Sequence, residues 1–238
     1  MSRTSHSPSQ LFRELGYFVV PIFSNERELL DLRRACDIAL EATRAQSDTK
    51  GHTTSSIELL GDPAAYVSEP PALERLTSFV SSLRVCTLLN GLTHKGEAET
   101  PRLKKADYYH EQTIRDWDGD WHRDSQFGHA DPDVERDIIL TTTSLHVRVV
   151  LVPDDHLEIV PGSHRRWDTD DELRIRKGPK RTDSQMPGAT RITLSAGDAC
   201  VFHAWSIHRA TYRRSPLRRT LDILYGFDRN AGSQIAYG

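Results

Sequence analysis

Cys200-Val201-Phe202, Ile207-His208-Arg209-Ala210-Thr211-Tyr212 and Arg219-Thr220-Leu221-Asp222-Ile223-Leu224-Tyr225-Gly226-Phe227 follow one another with only turns between them. Each is a short run rich in Val, Ile, Thr and aromatics, the composition that suits a pleated, partly buried strand. Upstream, Leu103–Gln112, Gly119–Phe127, Ile138–Val152, Leu157–Val160 and Arg191–Leu194 read the same way. Turns are expected at Pro153-Asp154-Asp155, Pro161-Gly162, Ala196-Gly197-Asp198 and Arg214-Ser215-Pro216. About eight short strands without intervening helices argue for an all-β sandwich or barrel.

The first hundred residues differ in character. Residues 1–9 are small and polar, a composition that disorders a chain end. Leu11–Leu15 predicts a short helix stopped by Gly16, and Tyr17–Phe23 a strand that ends near Pro21. From Ser24 or Asn25, either of which can cap, apolar residues repeat at helical spacing to about Ala45. Leu73–Leu89 predicts a second helix, while 46–66 and 91–101 read as polar connections. The segment 167–188, dense in charge, Pro and Gly, reads as a long mobile loop. The expected architecture is one domain over residues 1–238, mainly β, with a helical layer and opening strand in 1–100 and the β-core in 101–230.

Composition excludes several classes. A formal net charge of −3 is not the basic footprint of a nucleic-acid binder. Three widely spaced cysteines with no C-x-x-C pair give neither a disulfide framework nor a zinc ribbon. No apolar run reaches signal-peptide or membrane-spanning length, so a cytoplasmic setting is the expectation.

Trp121-His122-Arg123-Asp124 holds the first chemical signal. A histidine and a carboxylate two residues apart share one face of a strand. A second histidine from a distant strand would complete a 2-His-1-carboxylate triad, which leaves one face of Fe(II) open. His203 and His208 both compete for that place. If Ile207–Tyr212 and Arg219–Phe227 pair as a hairpin, the residue opposite His208 lies near 219, with Arg218 and Arg219 both available. Arg219 shares its face with Leu221, Ile223 and Tyr225, an apolar set expected to point inward. A cation buried there needs a partner, and a dicarboxylate cosubstrate would supply one.

Read in order, Gly16-Tyr17-Phe18-Val19-Val20-Pro21, Trp121-His122-Arg123-Asp124, Leu157-Glu158-Ile159-Val160-Pro161-Gly162-Ser163-His164, and Gly197–His203 through His208 to Arg219 form a set. The set resembles the phytanoyl-CoA dioxygenase-like branch of the Fe(II)/2-oxoglutarate-dependent oxygenases. That resemblance implies a double-stranded β-helix (a jelly-roll or cupin-like core), with His122, Asp124 and His208 as metal ligands and catalytic centre. The family's spacing of eleven residues to Arg219 favours His208 over His203. The resemblance also implies Arg219 as the anchor of the 2-oxoglutarate carboxylate. Tyr109 is read as a hydrogen-bond donor to the same cosubstrate. Oxidative decarboxylation with O2 would give succinate and CO2, and the second oxygen atom would hydroxylate a small-molecule substrate. Family halogenases lack the carboxylate, so Asp124 favours hydroxylation. Ala210 stands where the family often has serine, and the turn at Pro153-Asp154-Asp155-His156 is short.

Blander readings compete. Alone, His122 and Asp124 would be a surface ion pair. His203 is expected to pack or to line the pocket mouth, and His164 to be structural or to line the substrate pocket. His52 reads as a solvated loop histidine in preference to a ligand, and His110, His129, His146 and His156 have no geometric claim on a metal. His146 and Arg148 share a strand face, which allows a substrate-facing role. The basic run Arg174–Arg181 reads as a solvated loop, or as a lid recruiting an anionic substrate. Two other functions stay open: a cupin-type metalloenzyme without 2-oxoglutarate, and an inactive β-barrel that binds a ligand. Neither gives Arg219 a task.

Overall fold

The computed structural model describes residues 7–46, 56–57, 60–89, 92, 101–111, 114–128, 131–179, 181 and 185–227. Most of the expected connections at 46–66 and 91–101, with His52 and His129, lie outside the described residues.

Helix α1 (Pro8–Leu15) starts at Ser7, whose hydroxyl accepts from Gln10 N, and ends at Gly16. Gly16 has φ 83°, and a Cβ there would lie 2.4 Å from His164 Nδ1, so both backbone and contact demand glycine. Strand β1 (Tyr17–Pro21) follows, then α2 (Glu26–Gln46) and the short β2 (Ser56–Ile57). The single helix expected over Leu73–Leu89 is two, α3 (Pro70–Val80) and α4 (Leu83–Leu89), broken at Ser81.

After β3 (Arg102–His110) and β4 (Trp117–Asp118) come α5 (Ser125–Gly128) and α6 (Pro132–Thr141), before β5 (Ser144–Val150) and β6 (Asp154–Ile159). The strands expected over Gly119–Phe127 and Ile138–Val152 are therefore partly helical. Asp131 caps α6 by accepting from Asp133 N, with Pro132 opening the helix, and this local signal overrides the β-prone Ile138-Ile139. Helix α7 (Asp170–Arg176) carries a capping box between Thr169 and Glu172, so the segment expected as a loop contains a helix. Strands β7 (Thr190–Leu194), β8 (Asp198–His203), β9 (His208–Tyr212) and β10 (Arg219–Gly226) complete the chain.

The strands form two antiparallel sheets, β1-β8-β5-β10-β3-β2 and β4-β9-β6-β7. This is the expected mainly β, double-stranded β-helix core beneath a helical layer. β9 and β10 are not a hairpin. β9 pairs with β4 and β6, whereas β10 pairs with β3 and β5 in the other sheet.

The larger sheet is covered on both faces. One face, including Leu145, Val147, Val149, Val201, Leu221, Ile223 and Tyr225, packs on the helices through Leu32, Cys36, Leu76 and Val80. The opposite face contributes Val150, Cys200 and Phe202 to a smaller core with Leu157, Ile159, Ile192 and Leu194 of the second sheet. Burial on both faces corrects the placement of Arg219. Its apolar companions point to the helical layer, and Arg219 goes with them. Its Nε donates to Asp37 Oδ1 of α2 at 2.6 Å, and its Nη1 donates to Glu111.

Glu111 also accepts from Arg44 Nη2 at 3.0 Å. Burial opposes its ionisation, but the bonds from Arg44 and Arg219 prevail and hold its carboxyl down to about 2. A folded value below the unfolded one stabilises the protein above the unfolded pKa, and that stability is lost as pH falls. Glu111→Gln is expected to lower Tm by about 2–4 °C at pH 7, equivalent to about 1 kcal/mol. The gap from the parent should close in melts run at successively lower pH between 5 and 3; a gap that widens on acidification would contradict this.

Candidate active site

His122 and His208 are joined backbone to backbone. His122 N donates to His208 O at 3.0 Å, and His208 N donates to His122 O at 2.9 Å, an isolated antiparallel bridge. Two residues on, Asp124 N donates to Ala204 O at 3.1 Å. These bonds bring the two distant motifs together at one end of the cavity between the sheets. One ligand atom from each of His122, Asp124 and His208 lies within 4.8 Å of the others. The structure thus assembles the expected triad and leaves His203 out: its buried ring stacks on Phe12, and Nδ1 accepts from Trp205 N.

Both histidines have their tautomer fixed. His122 Nδ1 faces Asp120 O at 2.7 Å and His208 Nδ1 faces Ser206 O at 2.9 Å, so each Nδ1 donates and Nε2 keeps its lone pair. Burial, with His122 nearby, pushes His208 down to about 3, which keeps it neutral. Burial alone would raise the Asp124 carboxyl; the hydrogen bond and charge of His146, with the imidazoles around it, instead hold it well below the usual range.

Behind the triad lies a chain of buried charge. His146 Nε2 is 2.8 Å from Asp124 Oδ2, and its Nδ1 is 2.6 Å from Asp222 Oδ1. Asp222 Oδ2 accepts from Arg148 Nε at 2.8 Å and Nη2 at 2.5 Å. Burial opposes the charge on His146, but Asp222 and Asp124 lift it to about 10. Deeper still, Arg218 Nε donates to Asp154 Oδ2 at 3.2 Å, and Thr220 Oγ1 donates to the same oxygen at 2.9 Å. The guanidinium of Arg218 lies 5.1 Å from the ring of Tyr109, and that of Arg148 lies 5.8 Å from it. Burial, then Asp222, raises the Tyr109 phenol well above its ordinary value, so it stays a proton donor. Sequence reasoning placed His146 and Arg148 on one face but missed Asp222 and passed over Arg218 for Arg219. The available signal was an aspartate in the middle of the apolar run Leu221–Leu224.

The family model described as phytanoyl-CoA dioxygenase (PhyH) matches residues 12–221. The chain belongs to this family. Membership makes it an oxidoreductase of the iron- and 2-oxoglutarate-dependent oxygenase kind. No curated protein sequence matches it. Among solved structures it is similar to EctD from S. alaskensis with 2-oxoglutarate and 5-hydroxyectoine, at 17% identity and TM-score 0.67, covering 95% of this chain and 79% of that one. HygX from Streptomyces hygroscopicus with nickel and 2-oxoglutarate follows at 16% identity and TM-score 0.66, covering 95% and 88%. The 2-oxoglutarate-dependent carbocyclase SnoK from nogalamycin biosynthesis shares the fold at 17% identity and TM-score 0.60, covering 94% and 84%.

Two features of this chain fit the group's metal and cosubstrate. The triad offers two neutral imidazoles and a carboxylate, the donor set of a non-heme Fe(II) centre. Arg148 Nη1 and Arg218 Nη2 are buried guanidinium atoms with no hydrogen-bond partner among the described residues. Buried donors of this kind are costly unless an acceptor meets them. The cavity in front of the triad has a volume of about 700 Å³, and its wall includes Tyr109, Arg148, Tyr212, Trp117 and Phe127. Neither Arg218 nor Arg219 is among its lining residues, but Arg218 packs against the ring of Tyr109, which is. Among the described residues, no helix is long and apolar enough to cross a membrane.

The residue between His122 and Asp124 is also buried. Arg123 Nε and Nη2 donate to Asp168 Oδ1 at 2.8 and 2.7 Å, and Nη1 donates to Ser163 O at 2.9 Å and to Trp205 O. Arg176, fully buried, donates from Nε to Asp168 Oδ2 at 2.7 Å and from Nη1 to Glu135 Oε1 at 2.7 Å. Within the basic run, Lys177 pairs with Glu135 and Arg181 with Asp120. These cations are taken up by the protein itself, which removes the support for an anion-recruiting lid; Lys180 lies outside the described residues. Arg123→Ala would leave the buried Asp168 carboxylate and the carbonyls of Ser163 and Trp205 with one donor fewer each. It is expected to cost about 3–5 kcal/mol in urea unfolding, while the exposed Arg174→Ala should stay within about 0.5 kcal/mol. Equal, small losses for both would contradict the network's role.

Proposed function

We propose that this chain is an Fe(II)- and 2-oxoglutarate-dependent hydroxylase of a small molecule, with His122, Asp124 and His208 holding the metal. The observation that carries the reading is the convergence of that triad, in one cavity, with the Arg148 guanidinium, whose buried Nη1 has no partner among the described residues. Arg218, with Nη2 likewise unpartnered, lies 5.1 Å from the ring of Tyr109, which lines the same cavity. Arg218, seconded by Arg148 and the Tyr109 hydroxyl, is assigned to receive a carboxylate of 2-oxoglutarate. This replaces Arg219, which is committed to Asp37 and Glu111.

When bound, iron and 2-oxoglutarate supply the reductive activation of O2 that ends in succinate, CO2 and an oxidised substrate. The residues of the chain do the rest. His122 and His208 present neutral Nε2 atoms on the cavity side, and the carbonyls of Asp120 and Ser206 prevent either ring from turning. Arg218 and Arg148 give fixed charge to an acid that would otherwise be costly to desolvate. Trp117 stacks on Tyr212 with ring centres 4.0 Å apart, and Phe127 lies 5.3 Å from His122. These aromatics line the space left for substrate. A cavity of about 700 Å³ is of small-molecule size. A cupin-type enzyme without 2-oxoglutarate, or an inactive binding barrel, would leave Arg148 and Arg218 buried to no purpose.

Fe(II)-dependent conversion of 2-oxoglutarate to succinate tests the reading, even uncoupled from substrate. The parent should form succinate, and His122→Ala and Asp124→Ala should not; succinate undiminished in either variant would sink the assignment. Arg218→Ala should raise KM for 2-oxoglutarate by about 10–100-fold, the loss of a charge-assisted hydrogen bond. Arg219→Ala should change it by no more than about twofold, since its guanidinium is taken up by Asp37 and Glu111. The reverse order would return the anchor to Arg219.

A further inference from the structure

Asp124 has two carboxylate oxygens in different surroundings. Oδ1 faces the ligand atoms of the histidines, 3.4 Å from His122 Nε2 and 3.6 Å from His208 Nε2. Oδ2 is taken by His146 Nε2 at 2.8 Å. We propose that His146 is a positioning residue that fixes Asp124 as a one-oxygen ligand, with Oδ1 for the metal and Oδ2 withheld from it. The inference rests on the metal assignment above and concerns how that assignment is enforced.

His146 is unusually constrained for this task. A carboxylate oxygen accepts, so Nε2 must donate to Asp124, and Nδ1, 2.6 Å from Asp222 Oδ1, must donate there. The ring lies parallel to Phe202, with centres 4.6 Å apart and planes 7° apart. Asp222 cannot swing, because Arg148 holds its second oxygen through Nε and Nη2. Strand register builds the arrangement: β5 places His146 opposite Phe202 of β8, and Arg148 opposite Asp222 of β10. Arg148, Asp222, His146 and Asp124 form an unbroken line from the cavity wall to the metal ligand. A carboxylate that binds through both oxygens would have to break its bond to His146. Withholding Oδ2 keeps one more metal position open for cosubstrate and O2. Partners that orient a metal ligand in this way are worth about 10–100-fold in metal affinity.

Co(II), an air-stable probe, tests this by titration of the full chain, with thermal melts of the metal-free proteins alongside. His146→Leu, which fills the space but cannot donate, should weaken Co(II) binding about 10–100-fold. His146→Gln, whose amide can still donate to Asp124, should recover most of that loss. If His146→Leu does not fold, Asp222→Asn takes its place: it removes the charge that orients Nδ1 and should weaken Co(II) about three- to tenfold. Leu within about twofold of the parent, or Gln no better than Leu, overturns the inference. So does an unchanged affinity in Asp222→Asn. Loss in His146→Leu as complete as in His122→Ala would make His146 a ligand and equally overturn it. No Co(II) uptake by the parent would overturn the metal assignment as well, whereas uptake by the parent matched by His146→Leu overturns this inference alone.

Discussion

The two reciprocal backbone hydrogen bonds between His122 and His208 are the constraint on which the rest depends. They join segments more than eighty residues apart in the chain at the point where their side chains must converge. Neither side chain needs a long strand for this; the bridge is isolated, and Asp124 is set by its own bond to Ala204 O. Around the bridge the protein places rigid supports. Arg123 points away from the cavity and ties the motif to the carbonyls of Ser163 and Trp205. Gly162 N donates to Leu15 O and His203 N to Gly16 O, so the first helix closes the same end. The site is thereby held from behind by backbone and buried charge, and it stays open only toward the cavity.

Much of this was legible in the sequence, and for physical reasons. Gly16 after an amphipathic turn stops a helix because only glycine takes its left-handed backbone there. The His-x-Asp spacing and the later histidine carry the metal geometry in their residue types, whatever the local structure. The misreadings have physical causes too. Parity along Arg219–Phe227 was sound, but an apolar face identifies the active cavity only when a sheet is buried on one side. Here the larger sheet is buried on both, and the more polar face, with Thr220 and Asp222, faces the chemistry. Adjacency in the chain implied a hairpin for β9 and β10, whereas the connection between them crosses from one sheet to the other. The segment 167–188 reads as a mobile loop, and its basic run 174–181 as solvated, because sequence cannot show that Asp168, Arg176 and Glu135 meet each other away from water.

The interior of the barrel is correspondingly charged. Arg148, Asp222, Asp154 and Arg218 are all buried, each with at least one opposite charge in contact. Such pairs add little net stability, since desolvation offsets attraction. Their value here is positional. Asp222 and Asp154 hold two guanidinium groups 5.8 and 5.1 Å from the Tyr109 ring while leaving one nitrogen of each unpartnered, the arrangement proposed above as a receptor for an acid. The same Asp222 also contacts His146, which in turn contacts Asp124, so the proposed carboxylate receptor and the proposed metal ligand share one rigid support.

The central claim is that metal and cosubstrate bind together at the His122–Asp124–His208 face. It is tested most directly by anaerobic titration of Fe(II) and then 2-oxoglutarate, followed by visible absorption. Chelation of the metal by the 2-oxo acid on that face predicts a charge-transfer band that needs both additions and is absent in His208→Ala. A parent spectrum unchanged by 2-oxoglutarate, with Fe(II) shown to be bound, would contradict the account.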